Sequence, residues 1–172
     1  MIFETERLRA RDWRPDDAEA AFPIYRELDV VRYLGSVPQP VGSVDEMRER
    51  IDRWVAGRTS DGYGFWALET HDGTLVGATL VKPLPGADEV EIGWHLGTEH
   101  WGRGYATESG RGAARYAFEH QGLDVVYAVI VAENAPSIAV ARRLGMMHEG
   151  STDRYYGKPL ELFSLRNTKA PA

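Results

Sequence analysis

The chain has 172 residues, 43% of them hydrophobic and 27% charged, a size and composition that fit one ordinary globular domain. It contains no cysteine, which excludes a disulfide framework, a thiolate metal site and a cysteine nucleophile. Its 26 acidic against 20 basic residues leave a net charge of −6, which argues against nucleic acid as a partner. No apolar run approaches the roughly 18 residues of a membrane span, so no membrane partner is expected. Glu4 and Glu6 stand where a secretory leader would be basic and then apolar, so a cytoplasmic location is expected.

Thr5 to Arg11, with Leu8 among alternating charges, predicts a first strand at an edge. Pro15-Asp16-Asp17 opens a helical stretch running towards Leu28, which Pro23 must kink or split. A short piece, Val30 to Leu34, precedes a Gly/Pro loop from Gly35 to Gly42. Ser43 with Glu46 three residues on is a capping box, opening a helix to about Ala56. Val44, Met47, Ile51, Trp54 and Val55 share one face of that helix.

The period then changes. Gly64 to Glu69 and Leu75 to Val81 read as strands joined by a hairpin turn containing Asp72-Gly73. Pro83 to Asp88 makes a loop, and Val90, Ile92, Trp94 and Leu96 then alternate with Glu89, Glu91, Gly93 and His95, a strand with two chemically different faces. Ala106, Gly110, Ala113, Ala114 and Ala117 form a small-residue helix face ending near Gly122, suited to close packing on a sheet. Val125 to Val131 is continuously apolar and predicts a strand buried on both faces. Ala135 to Leu144 reads as a helix stopped by Gly145, and strands follow at Met147 to Asp153 and Leu160 to Arg166. The order β-α-α-β-β-β-α-β-α-β-β describes a mixed α/β sheet with helices against it. One domain spans residues 1–168, with 169–172 as a loose tail.

The sharpest local feature is H-W-G-R-G-Y-A-T-E, His100 to Glu108, where a strand ends and a helix begins. Helix starts leave backbone N–H groups unpaired, and Gly102 and Gly104 expose them by removing Cβ. With the helix dipole, the arrangement suits a diphosphate. Three arginines (Arg103, Arg111, Arg115) against Glu108 make this stretch basic inside an acidic chain. A Walker loop would need a Gly-Lys-Ser/Thr run that is absent. A Rossmann fingerprint would need glycine at Thr107 and an acid after the next strand, whereas Asp124 precedes it. Such a turn can also exist without any ligand.

The run from Glu91 to Glu108, followed by N-A-P-S-I-A-V-A-R-R-L-G-M from Asn134 to Met146, resembles the GNAT superfamily of N-acetyltransferases. The opening T-E-R-L-R-A-R, Thr5 to Arg11, is similar to the RimJ/RimL branch of ribosomal-protein N-terminal acetyltransferases. In the family's Gln/Arg-x-x-Gly-x-Gly/Ala loop, Trp101, Gly104 and Ala106 take the first, fourth and sixth places; tryptophan in the first departs from the general motif. The resemblance implies a mostly antiparallel sheet with one splayed strand pair and helices on both faces. It also implies acetyl-CoA as cosubstrate and an amine acceptor.

Carried over residue by residue, Trp94, His95 and Leu96 would pair with the pantetheine arm through the main chain. The amides of Gly102, Arg103, Gly104, Tyr105, Ala106 and Thr107 would hold the diphosphate. Asn134 matches a cofactor-side asparagine and is equally a plain N-cap. Arg142 and Arg143 reach the 3′-phosphate or are solvated helix charge. The family's usual tyrosine seven residues after the asparagine is Ala141 here, which keeps a non-catalytic acyl-CoA-binding module open as a rival reading. Ser137, in the RimL-like position, would support the departing thiolate or only satisfy its own helix. Glu91 is the family-like base and Asp153 the second candidate; either is also an ordinary surface carboxylate. Tyr155 and Tyr156 resemble an aromatic wall of the acceptor site. The acceptor would be a protein N-terminal α-amine or a small amine such as an amino sugar, amino acid or polyamine. His95 and His100 have no third ligand at metal spacing, so no metal is expected. A homodimer is the expected assembly.

Overall fold

The computed structural model describes residues 1–35 and 39–168; the expected tail and part of the Gly35–Gly42 loop lie outside them. Eight strands form one sheet in the order β1-β2-β3-β4-β5-β6-β8-β7. Every neighbouring pair is antiparallel except β5 (Val90–Leu96) and β6 (Val125–Ile130). The predicted first strand is two: β1 (Phe3–Glu4) and β2 (Leu8–Arg11), separated where Thr5 turns back and its hydroxyl bonds the Leu8 carbonyl at 3.2 Å. The hairpin of β3 (Gly64–Thr70) and β4 (Leu75–Pro83) turns at Gly73, whose φ of 89° needs glycine.

One face of the sheet carries α4 (Tyr105–Glu119) and α5 (Ala135–Arg143). The small-residue face of α4 explains the close fit. A Cβ at Gly110 would stand 2.7 Å from Leu144 Cδ1, and one at Gly112 would stand 2.4 Å from Phe3 Cε2. The other face carries α1 (Asp17–Tyr25), α2 (Leu28–Val31) and α3 (Val44–Ala56). Pro23 sits inside α1 without splitting it: the helix runs on to Tyr25, stopping short of Leu28, and the short piece expected at Val30 to Leu34 is α2, at Leu28–Val31. Ser43 caps α3 as predicted, its Oγ accepting from the Glu46 amide at 3.2 Å, while Glu46 reaches back to the Gly42 amide at 2.7 Å. Met47 and Ile51 are buried on the expected face, but Val55 is exposed because the stripe rotates off the sheet by the last turn.

One expectation is corrected in this half of the sheet. β6 alternates between buried and half-buried residues instead of being buried on both faces, because Tyr127 and Val129 look away from α4 towards a small separate cluster. The last pair, β7 (Met147–Thr152) and β8 (Leu160–Arg166), follows the predicted bounds closely, with β7 as an exposed edge.

A buried ionic knot, unseen in the sequence, fastens the layers together. Arg11 donates from Nε to Glu69 at 2.6 Å and from both terminal nitrogens to Asp17 at 2.7 and 2.8 Å. β2, β3 and α1 thus meet on one guanidinium.

Candidate active site

The site grows out of β5. A Cβ at Gly77 would lie 1.9 Å from the His95 carbonyl oxygen, so β4 and β5 approach there only because residue 77 is glycine. That contact shows the His95 carbonyl facing β4. Gly93 does the same, its carbonyl accepting from Thr79 Oγ1 at 3.1 Å. Strand alternation then turns the N–H and C=O of Trp94 and Leu96 to the opposite edge. On that edge β6 is in register at one position, Glu91 with Tyr127, and then diverges. The result is the expected splay, with a cavity of about 540 Å³ lined by Ile92 to His95, Ala128 to Val131, Asn134 and Ser137.

This assigns the edge more sharply than the sequence did. Trp94 presents both main-chain groups and Leu96 its N–H. The Leu96 carbonyl already accepts the Trp101 indole N–H at 2.9 Å. His95 is corrected: its main chain belongs to β4, and it reaches the cavity by its ring. That ring sits edge-on to Phe65 and Tyr25, at 5.0 and 6.2 Å between centroids. Burial, with Lys82 and Arg50 nearby, pushes its pKa down to about 3, so the imidazole is neutral at physiological pH.

Past β5, a 3-10 turn at Thr98–His100 leads into the glycine loop. Gly102 and Gly104 hold φ values of 74° and 81°, and Gly104 is the left-handed residue that starts α4. Added Cβ atoms would meet nothing at Gly102 and only Arg7 Nη2, at 3.4 Å, at Gly104. The amides of Gly102, Arg103, Gly104, Tyr105, Ala106 and Thr107 donate no hydrogen bond among the described residues. Arg7 bonds the Arg103 carbonyl at 3.0 Å and lies 4.8 Å over the Tyr105 ring. Gly104 and Thr107 border a second hollow together with Arg111, Arg115 and Arg143. Arg143 therefore stands beside the loop, whereas Arg142 lines neither hollow.

Glu91 lies on the other face of β5, in the larger cavity and only 7% exposed. Its carboxylate accepts from the Tyr156 hydroxyl and has Lys82 Nζ at 3.3 Å. Burial pushes its pKa above the ordinary carboxylate value, and Lys82 and Tyr156 pull against that rise. Tyr156 holds a φ of 55°, a left-handed conformation costly for a tyrosine, and so turns its ring into the cavity. Ser137 and Asn134 share the opening of α5, the Ser137 amide donating to Asn134 Oδ1 at 3.3 Å.

Two sequence candidates fall elsewhere. Asp153 is exposed in the β7–β8 connection and does not line the cavity. Tyr155 is 1% exposed, packed with Leu84 and Leu160, and its hydroxyl donates to Glu89 at 3.2 Å. It is core, because the turn at Tyr156 sends these adjacent side chains in different directions. The sequence reading also missed Tyr25, Arg50, Lys82 and Lys158, all in the cavity wall. Lys82 alone had a signal, since it pairs directly across the β4–β5 hairpin from Glu91.

The family model of the GNAT acetyltransferase domain matches residues 7–147, a stretch that contains both the splay and the glycine turn. The chain belongs to the GNAT acetyltransferase family. It is 29% identical over 156 residues to the uncharacterized N-acetyltransferase YoaA of Bacillus subtilis (strain 168), covering 90% of this chain and 87% of that one. Among solved structures, a provisionally assigned ribosomal-protein-serine acetyltransferase from Vibrio cholerae superposes with a TM-score of 0.79 at 24% identity, covering 95% and 96% of the two chains. The microcin C7 self-immunity acetyltransferase MccE, solved with acetyl-CoA and AMP, gives 0.79 at 14% identity over 94% and 93%. This GNAT chain is accordingly an acyltransferase of the N-acetyltransferase class.

Its residues fit the family's cosubstrate on two independent features: six undonated amides at a helix start that no Cβ obstructs, and an unpaired strand edge leading to them. Valine at Gly104 would place a β-branched side chain at a positive φ inside that cradle. We expect Gly104→Val to weaken acetyl-CoA binding by about tenfold or more, the order of one strained residue. Calorimetric titration showing parental affinity in a folded variant would remove the cradle from the binding site.

Proposed function

We propose that this GNAT enzyme transfers acetyl from acetyl-CoA directly to a primary α-amine, with residues 1–168 acting as one cytoplasmic catalytic domain. The observation that carries this reading is Glu91, a buried carboxylate of raised proton affinity in the cavity where β5 leaves β6. Acetyl-CoA, when bound, supplies the acetyl group as an activated thioester. Trp94 and the Leu96 N–H would hold its arm, the Gly102–Thr107 amides its diphosphate, and Arg143 a further phosphate. Asn134 fixes the start of α5 beside the cavity and thereby sets Ser137.

Glu91 takes the proton of the incoming ammonium, directly or through a water, and leaves a neutral amine as nucleophile. Lys82 steadies the charged carboxylate, and the Tyr156 hydroxyl orients it. A peptide α-amine, with a pKa near 8 against about 10.4 for lysine, asks less of such a base. The RimJ/RimL-like opening Thr5–Arg11 and the name of the Vibrio cholerae neighbour support an α-amine as well. Attack would form the N–C bond and break the C–S bond, with the proton that the nitrogen then sheds passing to the departing sulfur, to which the Ser137 hydroxyl would donate a hydrogen bond.

Thiol release from acetyl-CoA across a panel of peptide and small amines tests the reading. Amine-dependent release is expected, and Ser137→Ala should lower kcat about 10- to 1,000-fold while leaving acetyl-CoA affinity nearly unchanged. Binding without release for every amine would replace the enzyme by an acyl-CoA-binding module.

A further inference from the structure

The cavity beside Glu91 is more basic than acetyl transfer alone requires. Arg50 and Arg53 from α3 and Lys158 from the β7–β8 connection line it, and none makes an ion pair with a carboxylate among the described residues. Arg50 spends one donor on the Gln39 carbonyl at 3.1 Å, and Lys158 one on the Gly35 carbonyl at 2.6 Å. Four guanidinium N–H groups and two ammonium N–H groups stay available on these half-buried side chains. Burial lowers the proton affinity of both, and Glu46, which acts on Arg50 through space, makes no ion pair with it. In a chain of net charge −6, unpaired cations gathered on one cavity need a reason.

The diphosphate does not supply it, because the Gly102–Thr107 cradle and the hollow with Arg143, Arg111 and Arg115 serve that end. A second observation points into the same space. Tyr25 is fully buried, lines the cavity, and its hydroxyl has no hydrogen-bond partner among the described residues. A buried unpaired hydroxyl costs free energy that an acceptor oxygen would recover. Lys158 to Gly35 and Tyr33 to the Glu133 carbonyl, at 3.4 Å, tie the segment after α2 to the loops beyond the splay. The cavity of about 540 Å³ has Trp94 and Ser137 at the end proposed for the thioester and Arg50, Arg53, Lys158 and Tyr25 in the remainder of its wall.

We propose that the acceptor is a small α-amine bearing its own carboxylate or phosphate, seated on Arg50, Arg53, Lys158 and the Tyr25 hydroxyl; this rests on the transferase reading above. The same cations lower the proton affinity of the bound amine and so help Glu91 expose its lone pair. A free amino acid meets these demands. A protein N-terminus carries no anion so close to its amine.

The test compares each anionic acceptor with its neutral counterpart: an α-amino acid with its amide, O-phosphoethanolamine with ethanolamine, and a tetrapeptide amide as a protein terminus. Thiol release should favour the anionic member by about 10- to 100-fold in kcat/KM, the order of one charge-assisted contact. The carboxylate and phosphate pairs show which anion fits. Arg50→Gln should bring the ratio close to one, and Arg53→Gln, at an exposed side chain, should lower it in the same direction. Calorimetric titration of the protein with the preferred acid, before any acetyl-CoA is added, should lose affinity in both variants. Equal or better rates with amides, ethanolamine or the tetrapeptide would overturn the anion site and leave acetyl transfer standing. Absence of release with every amine, alongside intact acetyl-CoA binding, would instead overturn the transferase reading and this proposal with it.

Discussion

Replacing Arg11 by methionine should cost about 3 to 5 kcal/mol of folding stability, because it leaves two buried carboxylates without their counter-charge. Arg11, Asp17 and Glu69 are each 8% exposed, and the guanidinium makes three hydrogen bonds of 2.6 to 2.8 Å to them. For a chain of this length the loss corresponds to a fall in melting temperature of roughly 6 to 20 °C. Thermal melts followed by circular dichroism read it directly. The penalty comes from the stranded charges more than from the lost attraction, so the triple variant with leucine at Asp17 and Glu69 should recover most of it. A single variant that melts with the parent would mean that water reaches the carboxylates and that the knot contributes little. The Asp17 carboxylate also accepts from the Arg14 amide at 2.7 Å, so leucine there gives up that one bond at the entry to α1.

The second large effect is on rate. Glu91→Gln should lower kcat about 100- to 10,000-fold and delete the acidic limb of the pH–rate profile. The parental rate should rise with pH as Glu91 loses its proton, and the limb should lie above the ordinary carboxylate value of 4.5, because burial raises the group. Stability supplies an independent reading of the same proton. The folded protein keeps it where the unfolded chain releases it, so the parent should lose stability relative to the glutamine variant as pH climbs from about 4.5 through the folded value. A glutamine variant that keeps the acidic limb would assign the limb to the acceptor amine and leave positioning, without a side-chain base, as the source of rate. His95 contributes no limb near neutrality, as its ring is already neutral there.

Local signals in the sequence were read correctly where one element decides its own shape. The bounds of β5 follow from strict alternation, the start of α3 from Ser43 and Glu46, and the glycine loop from residues that tolerate positive φ. Features that join distant segments left no trace. Arg11 and Glu69 are 58 positions apart, and nothing along the chain marks them as partners. Tyr155 and Tyr156 look alike as letters, yet the backbone at Tyr156 turns one into the cavity and leaves the other in the core. The hydrophobic run of β6 promised burial on both faces, but period alone cannot say that one face meets only a small cluster. The cations of the cavity were equally hidden, because Arg50 and Lys158 belong to segments that meet only in the folded chain.

The bond from the Trp101 indole to the Leu96 carbonyl closes a short ring that contains the end of β5 and the entrance to the glycine loop. In the proposed reading the strand edge and the helix start are the two places that grip a long, flexible nucleotide ester at once. With the ring closed, their separation is set in the protein before any ligand arrives. Ordering entropy that would otherwise be lost on each encounter is thereby spent once, during folding. Tryptophan in place of the family's usual glutamine or arginine thus ties the two proposed gripping places together through its own ring nitrogen.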